Sequence, residues 1–393
     1  MKYSNLLKKW PLTFSLVCIQ PALVDASSFS FEDLEQWITN EKPKEIEEVF
    51  SILPEDFKHA VLVHDSQSIQ ESSPENPRVL LFGDGAELVL SFNGHPNQRG
   101  YQGLELVQFR TDTAKFEYRE IKFPGKNSDA SSTPVISEAN PRVCQNCHRG
   151  PDVRPNWDPF KHWPGAYGGL RFPNWTDWES QNLAKFVASA SSHSRYRNLL
   201  ENGKLKTNPM YENVHLAAYL SELNFKRVAR LMKSHPKFDQ YKFLLALNFL
   251  TDVCGNEKFA EAWPNSALFE NHRDFKTRRK ERGRNAGRVE QVEWLNRIYE
   301  PYGILTYTWS MEFRQDTDSP VTNRFSSAID DSIQVAAHLA QIDPGLKALL
   351  NPRLVPWANG DKNFKWLTVS PTVAECEHLS EQSRLALSAV KFP

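Results

Sequence analysis

The spacing of apolar positions changes period along the chain, and each change marks an element. Phe31, Leu34, Trp37 and Ile38 recur at three and four residues, followed by Ile46, Val49, Phe50 and Ile52, which predicts helical structure from Phe31 to Phe57 with Pro54 as its terminator. From Val79 the period shortens to that of strands. Val79 to Phe82 and Leu88 to Phe92 flank a Gly83-Asp84-Gly85 turn, while Leu104 to Phe109 and Phe116 to Phe123 flank Thr111 to Ala114. Four strands joined by short turns predict an antiparallel meander. Pro124 to Ser137, rich in Gly, Lys, Asn, Ser and Pro, reads as an exposed connector.

Beyond residue 148 the pattern becomes irregular. Arg149 to Pro173 carries Pro151, Pro155, Trp157, Pro159, Trp163, Pro164, Tyr167, Gly168 and Gly169, the content of a rigid aromatic wrap. Helical spacing then returns from Asp177 to Cys254. Leu216, Tyr219, Leu220 and Leu223 form one apolar set and Phe243, Leu244, Leu247 and Leu250 another, with Pro236 at a first-turn position. Helices are also expected at Val292 to Tyr299 and Ile329 to Leu339, around a short apolar stretch at Ile304 to Trp309. The fold class is α+β: a small antiparallel β-meander near the N-terminus and a mainly α-helical remainder.

The first residues alter the compartment. Lys2, Lys8 and Lys9 precede an apolar run from Trp10 to Val24, and Val24-Asp25-Ala26 offers small residues for cleavage, which predicts a secretory signal peptide over 1–26. The run is interrupted by Pro11, Gln20 and Pro21 and is short for a membrane span, so no integral membrane segment is expected after its removal. Cys18 follows the bulky Val17, which disfavours lipoprotein processing, and it leaves with the signal. The organisation expected beyond the signal is an α+β region over 27–135, a mainly helical region over 136–260 and a mixed, mostly helical region over 261–393.

The whole chain has 47 basic and 48 acidic residues; without the signal the balance is 44 to 47, a formal charge of −3. No global charge steers it to nucleic acid. The one basic run, Arg278 to Arg284 extended by Lys276 and Arg288, reads either as a solvated loop or as a docking patch for an acidic redox partner or an anionic membrane surface.

The chemistry is concentrated in Cys144-Gln145-Asn146-Cys147-His148. Two cysteines three positions apart on a helical turn present sulfurs to two vinyl groups of one porphyrin, and the histidine that follows can reach the iron. With 5 Cys and 11 His in 393 residues, composition alone yields such a match with a probability of roughly two in a thousand. The pattern resembles the attachment site of c-type cytochromes, and the likeness covers these five residues and the export signal, with a short one at Leu216 to Leu220 to the closing helix of small members. It implies one covalent haem c per chain, a proximal ligand at His148, and a periplasmic or otherwise extracytoplasmic location. The competing reading is a redox dithiol or half of a zinc site, although no second Cys pair or His cluster along the chain completes a four-ligand set.

A porphyrin is a large apolar disc with two carboxylates. Trp157, Trp163 and Tyr167 are therefore candidate packing surfaces for it, and Arg149 and Arg154 candidate partners for its propionates. The distal ligand decides between electron transfer and an open reactive iron. Met210 lies 62 residues past His148, after Asn208-Pro209 and before Leu216, an order similar to the loop methionine of small c-type cytochromes. His162 and His215 are rivals. Cys254 and Cys376 remain once the haem cysteines and Cys18 are set aside, and an oxidising compartment favours a disulfide between them over two buried thiols.

These features point to one-electron transfer with a redox partner protein. The alternatives are a haem-dependent peroxidase or oxygenase with an open distal side, and a haem-containing sensor or binding module. The chain holds a single C-x-x-C-H, whereas multi-haem relatives use a second one to store a further oxidising equivalent.

Overall fold

The computed structural model describes residues 29–66, 68–148, 153, 155, 165–168, 177–236, 238–255, 258, 328–356 and 365–388. The fold is α+β. Its N-terminal part is one six-stranded sheet: β1 (His59–Val63), β2 (Arg78–Phe82), β3 (Leu88–Phe92), β4 (Gly103–Arg110), β5 (Lys115–Lys122) and β6 (Val135–Ile136). The strands lie in sequence order and every pair is antiparallel. The four expected strands are the middle of this meander. His59–Val63 carries no strand signal in the sequence, because all five of its residues are buried and the polar-apolar alternation is lost. Val135–Ile136 is a two-residue edge strand inside the stretch read as a connector, held by pairing with Ile121 and Lys122.

Period-2 alternation divides the sheet into two apolar faces. Leu62, Val79, Leu81, Leu90, Leu104, Leu106 and Ile121 join α1 (Phe31–Glu41) and α2 (Ile46–Val49) on one side. Val61, Val63, Leu80, Phe82, Val89, Phe109, Phe116 and Tyr118 form the other. The predicted helical run over 31–57 is thus two helices. Ser30 and Asp33 form a reciprocal capping box on α1, and Lys42, in the left-handed region at φ 50, ends it just before Pro43.

The remaining α-helices among the described residues are α3 (Arg142–Cys147), α4 (Asp177–Ala190), α5 (Pro209–Lys233), α6 (Phe238–Phe249), α7 (Thr251–Cys254), α8 (Ala328–Ile342), α9 (Pro344–Leu349) and α10 (Val373–Ser388). Two small hairpins accompany them: β7 (Leu200–Glu201) with β8 (Lys204–Leu205), and β9 (Arg353–Pro356) with β10 (Lys365–Thr368). Helix α6 begins two residues beyond Pro236, so that proline precedes the first turn instead of occupying it.

Phe186 and Ala190 of α4 are buried with the α1 side of the sheet. Helix α5 is the wall between two cores. Its Leu216, Leu220 and Leu223 face the sheet, while Val214, Ala218, Phe225, Val228, Ala229 and Met232 enter a helical core with α6, α8 and α10. That core is closed covalently: Cys254 and Cys376 form the expected disulfide across a sequence separation of 122 residues, joining α7 to α10. Among the described residues no helix is long and apolar enough to cross a membrane. The expected helix at Val292 to Tyr299, the stretch at Ile304 to Trp309, the basic run and the signal segment lie outside the described residues.

Candidate functional site

Helix α3 is one and a half turns long and carries both motif cysteines. Pro141 sits at its N-cap, the main-chain N–H of Cys144 donates to Pro141 O at 2.8 Å, and His148 N–H donates to Cys144 O at 2.8 Å. Those bonds fix Cys144 and Cys147 one turn apart on one face, with His148 immediately past the helix end. Asn140, at φ 53, turns the chain into the helix; it accepts Tyr118 N–H through Oδ1 and returns its own N–H to Tyr118 O, both at 2.8 Å. The motif is thereby tied to β5.

Cys144 is half-buried against the Tyr118 side of the sheet and Cys147 is exposed. Burial, followed by the nearby carboxylates of Glu105 and Glu120 and by Cys147, pushes the Cys144 thiol up to about 11. The His148 ring stacks on Tyr118, centroid to centroid 4.2 Å at 28°. Tyr118 is itself buried, its hydroxyl has no hydrogen-bond partner among the described residues, and burial, then Cys144, keeps it protonated far above the usual phenol range. The same sheet face is polar nearby: Arg78 pairs with Glu105 at 2.7 Å and donates to Ser91 Oγ at 2.5 Å.

No family model, no curated protein and no solved structure matches this chain.

The donor set fits a covalently attached haem. Two thiols one turn apart, followed at once by an imidazole, are what thioether formation and iron ligation need. Burial makes Cys144 the less reactive thiol of the two, and Cys147 is the one open to solvent. Among the described residues neither cysteine falls within a group of three ligating side chains.

The remaining candidates are placed unevenly. Arg149, Arg154, Trp157, His162 and Trp163 lie outside the described residues. Tyr167 is described, and it is not brought to the cysteines. It is fully buried in the cluster on the α1 side of the sheet, its hydroxyl donating to Pro74 O at 2.7 Å, because Gly165 to Tyr167 pairs along the outer edge of β1. Its ring thus packs in the cluster on the α1 side, whereas Cys144 packs against the other face of the sheet.

Met210 is half-buried in the first turn of α5, not in a loop ahead of a helix near Leu216. Asn208 caps the helix by accepting Met210 N–H at 3.1 Å, and Pro209 occupies the first turn. Gly168, at φ +78, lies so close that a Cβ there would come within 2.6 Å of the Met210 backbone. The end of the aromatic segment thus abuts the start of α5.

His215 is drawn elsewhere. It converges with Glu212, one turn before it on α5, and with His59 at the start of β1. Neither His59 nor Glu212 stood out in the sequence, and the one signal available was the Glu212-x-x-His215 spacing, which puts both side chains on one helix face.

Proposed function

We propose that the chain is an exported c-type cytochrome holding one covalent haem and passing single electrons to a partner protein. The observation that carries this reading is the single turn of α3, which presents Cys144 and Cys147 on one face and sets His148 directly behind them. A haem bound there supplies a one-electron iron couple, whose potential the axial ligands and surroundings set. Cys144 and Cys147 anchor the ring, His148 is the proximal ligand, and the Tyr118 ring orients the imidazole by stacking on it. Met210 is the favoured distal ligand: the Asn208 cap and the close approach of Gly168 fix its backbone, so its side chain is the adaptable part. Arg149, Arg154, Trp157 and Trp163 remain candidates for the propionates and the ring faces. Retention outside the cytoplasm follows from the predicted signal over 1–26, and the basic run around Arg278 to Arg284 is the candidate docking patch for an acidic redox partner.

Absorption spectra of the exported protein, oxidised and reduced, test the reading. A six-coordinate iron with a methionine should give a low-spin reduced spectrum unaffected by carbon monoxide. A weak near-infrared band should appear in the oxidised form and vanish in Met210→Ala. Rapid carbon monoxide binding together with turnover of peroxide by the unaltered protein would show an open iron and replace electron transfer with peroxidase or oxygenase chemistry.

A further inference from the structure

One cluster of ligating side chains lies apart from the cysteine motif. His59 Nδ1 is 2.8 Å from Glu212 Oε2, and His215 Nδ1 is 3.9 Å from the same oxygen. One ligand atom from each of the three residues lies within 4.8 Å of the others. His59 and Glu212 are buried, and the His215 side chain is only 14% exposed. On its far side, His59 Nε2 is 2.9 Å from Asp84 Oδ1, in the turn between β2 and β3.

The placement follows from the fold. His59 pairs in register with Phe82, so the next turn brings Asp84 beside its ring, and Phe82 stacks on that ring at 5.4 Å. Leu216, completely buried against the sheet, docks α5 so that Glu212 and His215, three positions apart, face β1. Two imidazoles thus meet one carboxylate in an apolar setting, where that charge is costly unless compensated.

We infer that His59, Glu212 and His215 form a divalent transition-metal site of the zinc class, with Asp84 as the positioning residue that orients His59. Two nitrogens and one carboxylate oxygen are a donor set that zinc accepts, with a fourth position left for water. Asp84 completes the carboxylate–histidine–metal arrangement, because accepting the Nε2 proton leaves Nδ1 as the donor atom toward the metal. The cation takes the place of the proton now shared between His59 Nδ1 and Glu212 Oε2, and binding releases that proton. None of its residues belongs to the cysteine motif, and it takes His215 for the cluster and leaves Met210 as the distal-ligand candidate on α5.

The test uses the full exported protein, stripped with a chelator and titrated with zinc chloride by calorimetry, with zinc and iron counted separately by mass spectrometry. The expected result is saturable uptake of one zinc per chain with a rise in thermal midpoint, whatever the iron content. His215→Ala should weaken zinc binding on the order of 100-fold and Asp84→Asn roughly 10-fold. Asp84 has a side chain 52% exposed, so Asp84→Asn decides the matter even if His215→Ala proves too unstable to study. No saturable zinc uptake by the unaltered protein at sub-millimolar zinc, or unchanged affinity in Asp84→Asn, would overturn the assignment and leave His59 as an imidazolium held between two carboxylates.

Discussion

The cysteine motif and the histidine–carboxylate cluster are built in opposite ways. The first spans five consecutive residues, and the short helix that starts after Pro141 sets its geometry. The second gathers His59 from β1, Asp84 from a hairpin turn and the Glu212–His215 pair from α5, with a sequence separation of 153 from His59 to Glu212. A local site needs only its own backbone, whereas a dispersed one needs every element around it docked. The motif should therefore survive perturbations that disperse the cluster, and the helical core behind α5 is where the two can be separated.

Removing the Cys254–Cys376 disulfide gives the largest separation. It closes a loop of 122 residues, and the chain-entropy treatment assigns such a closure about 4 to 5 kcal/mol. Cys254→Ser with Cys376→Ser should lower the urea midpoint accordingly and weaken the cluster's hold on zinc, because the core fixing the back of α5 loosens, while the haem stays covalently attached. A stability change below about 1 kcal/mol would show that α5 does not depend on that core.

Leu216→Ala acts nearer the cluster. Emptying a fully buried leucine site should cost about 3 kcal/mol, read from urea unfolding, and should lower zinc affinity without altering haem content. Equal losses at both sites would mean that the contrast between them is false.

Asp343 probes the far end of the same helix. Its carboxylate accepts from Lys233 at the end of α5 at 2.5 Å, pairs with Lys242 of α6 at 3.3 Å, and caps α9 through Leu346 N–H at 2.9 Å. Burial alone would raise its pKa, but the Lys233 hydrogen bond, the Leu346 N–H and Lys242 outweigh it and hold the carboxyl below the usual range. Its contribution is then present above the ordinary carboxylate pKa and is lost as pH falls through the lower folded value. Asp343→Asn keeps the cap and removes the charge, so it should cost about 2 kcal/mol near neutral pH, and the gap from the unaltered protein should close on acidification. A gap that stays constant with pH would show that the charge contributes nothing.

The smallest effect is expected at the motif itself. The Tyr118 hydroxyl is buried without a partner among the described residues, so Tyr118→Phe should change stability by less than about 0.5 kcal/mol in urea unfolding and leave the His148 stack in place. A loss of several times that size would reveal a partner for the hydroxyl.

The same contrast explains how much could be read in advance. The middle strands of the meander were legible because their turns are marked by Gly83-Asp84-Gly85 and Thr111 to Ala114, and the motif because its chemistry is contiguous. Strand β1 was hidden by burial on both faces. The break after α1 was signalled by Pro43 but masked by the apolar set continuing at Ile46. His59 and Glu212 looked like isolated residues, since only the β1–β2 register and the docking of α5 bring them together. Tyr167 looked like a haem wall by its neighbours in sequence, yet the bridge of Ala166 to Val63 decides which side of the sheet its ring joins.

On the proposed function, Cys144 and Cys147 carry the haem through thioether bonds. The most direct test is the intact mass of the exported protein, denatured and acid-extracted, beside that of Cys144→Ala with Cys147→Ala. The unaltered chain should keep a mass increment of one haem and its colour after denaturation, and the double variant should have neither. A denatured wild-type chain with the mass of the bare polypeptide, or a double variant that still carries the increment, would contradict the claim.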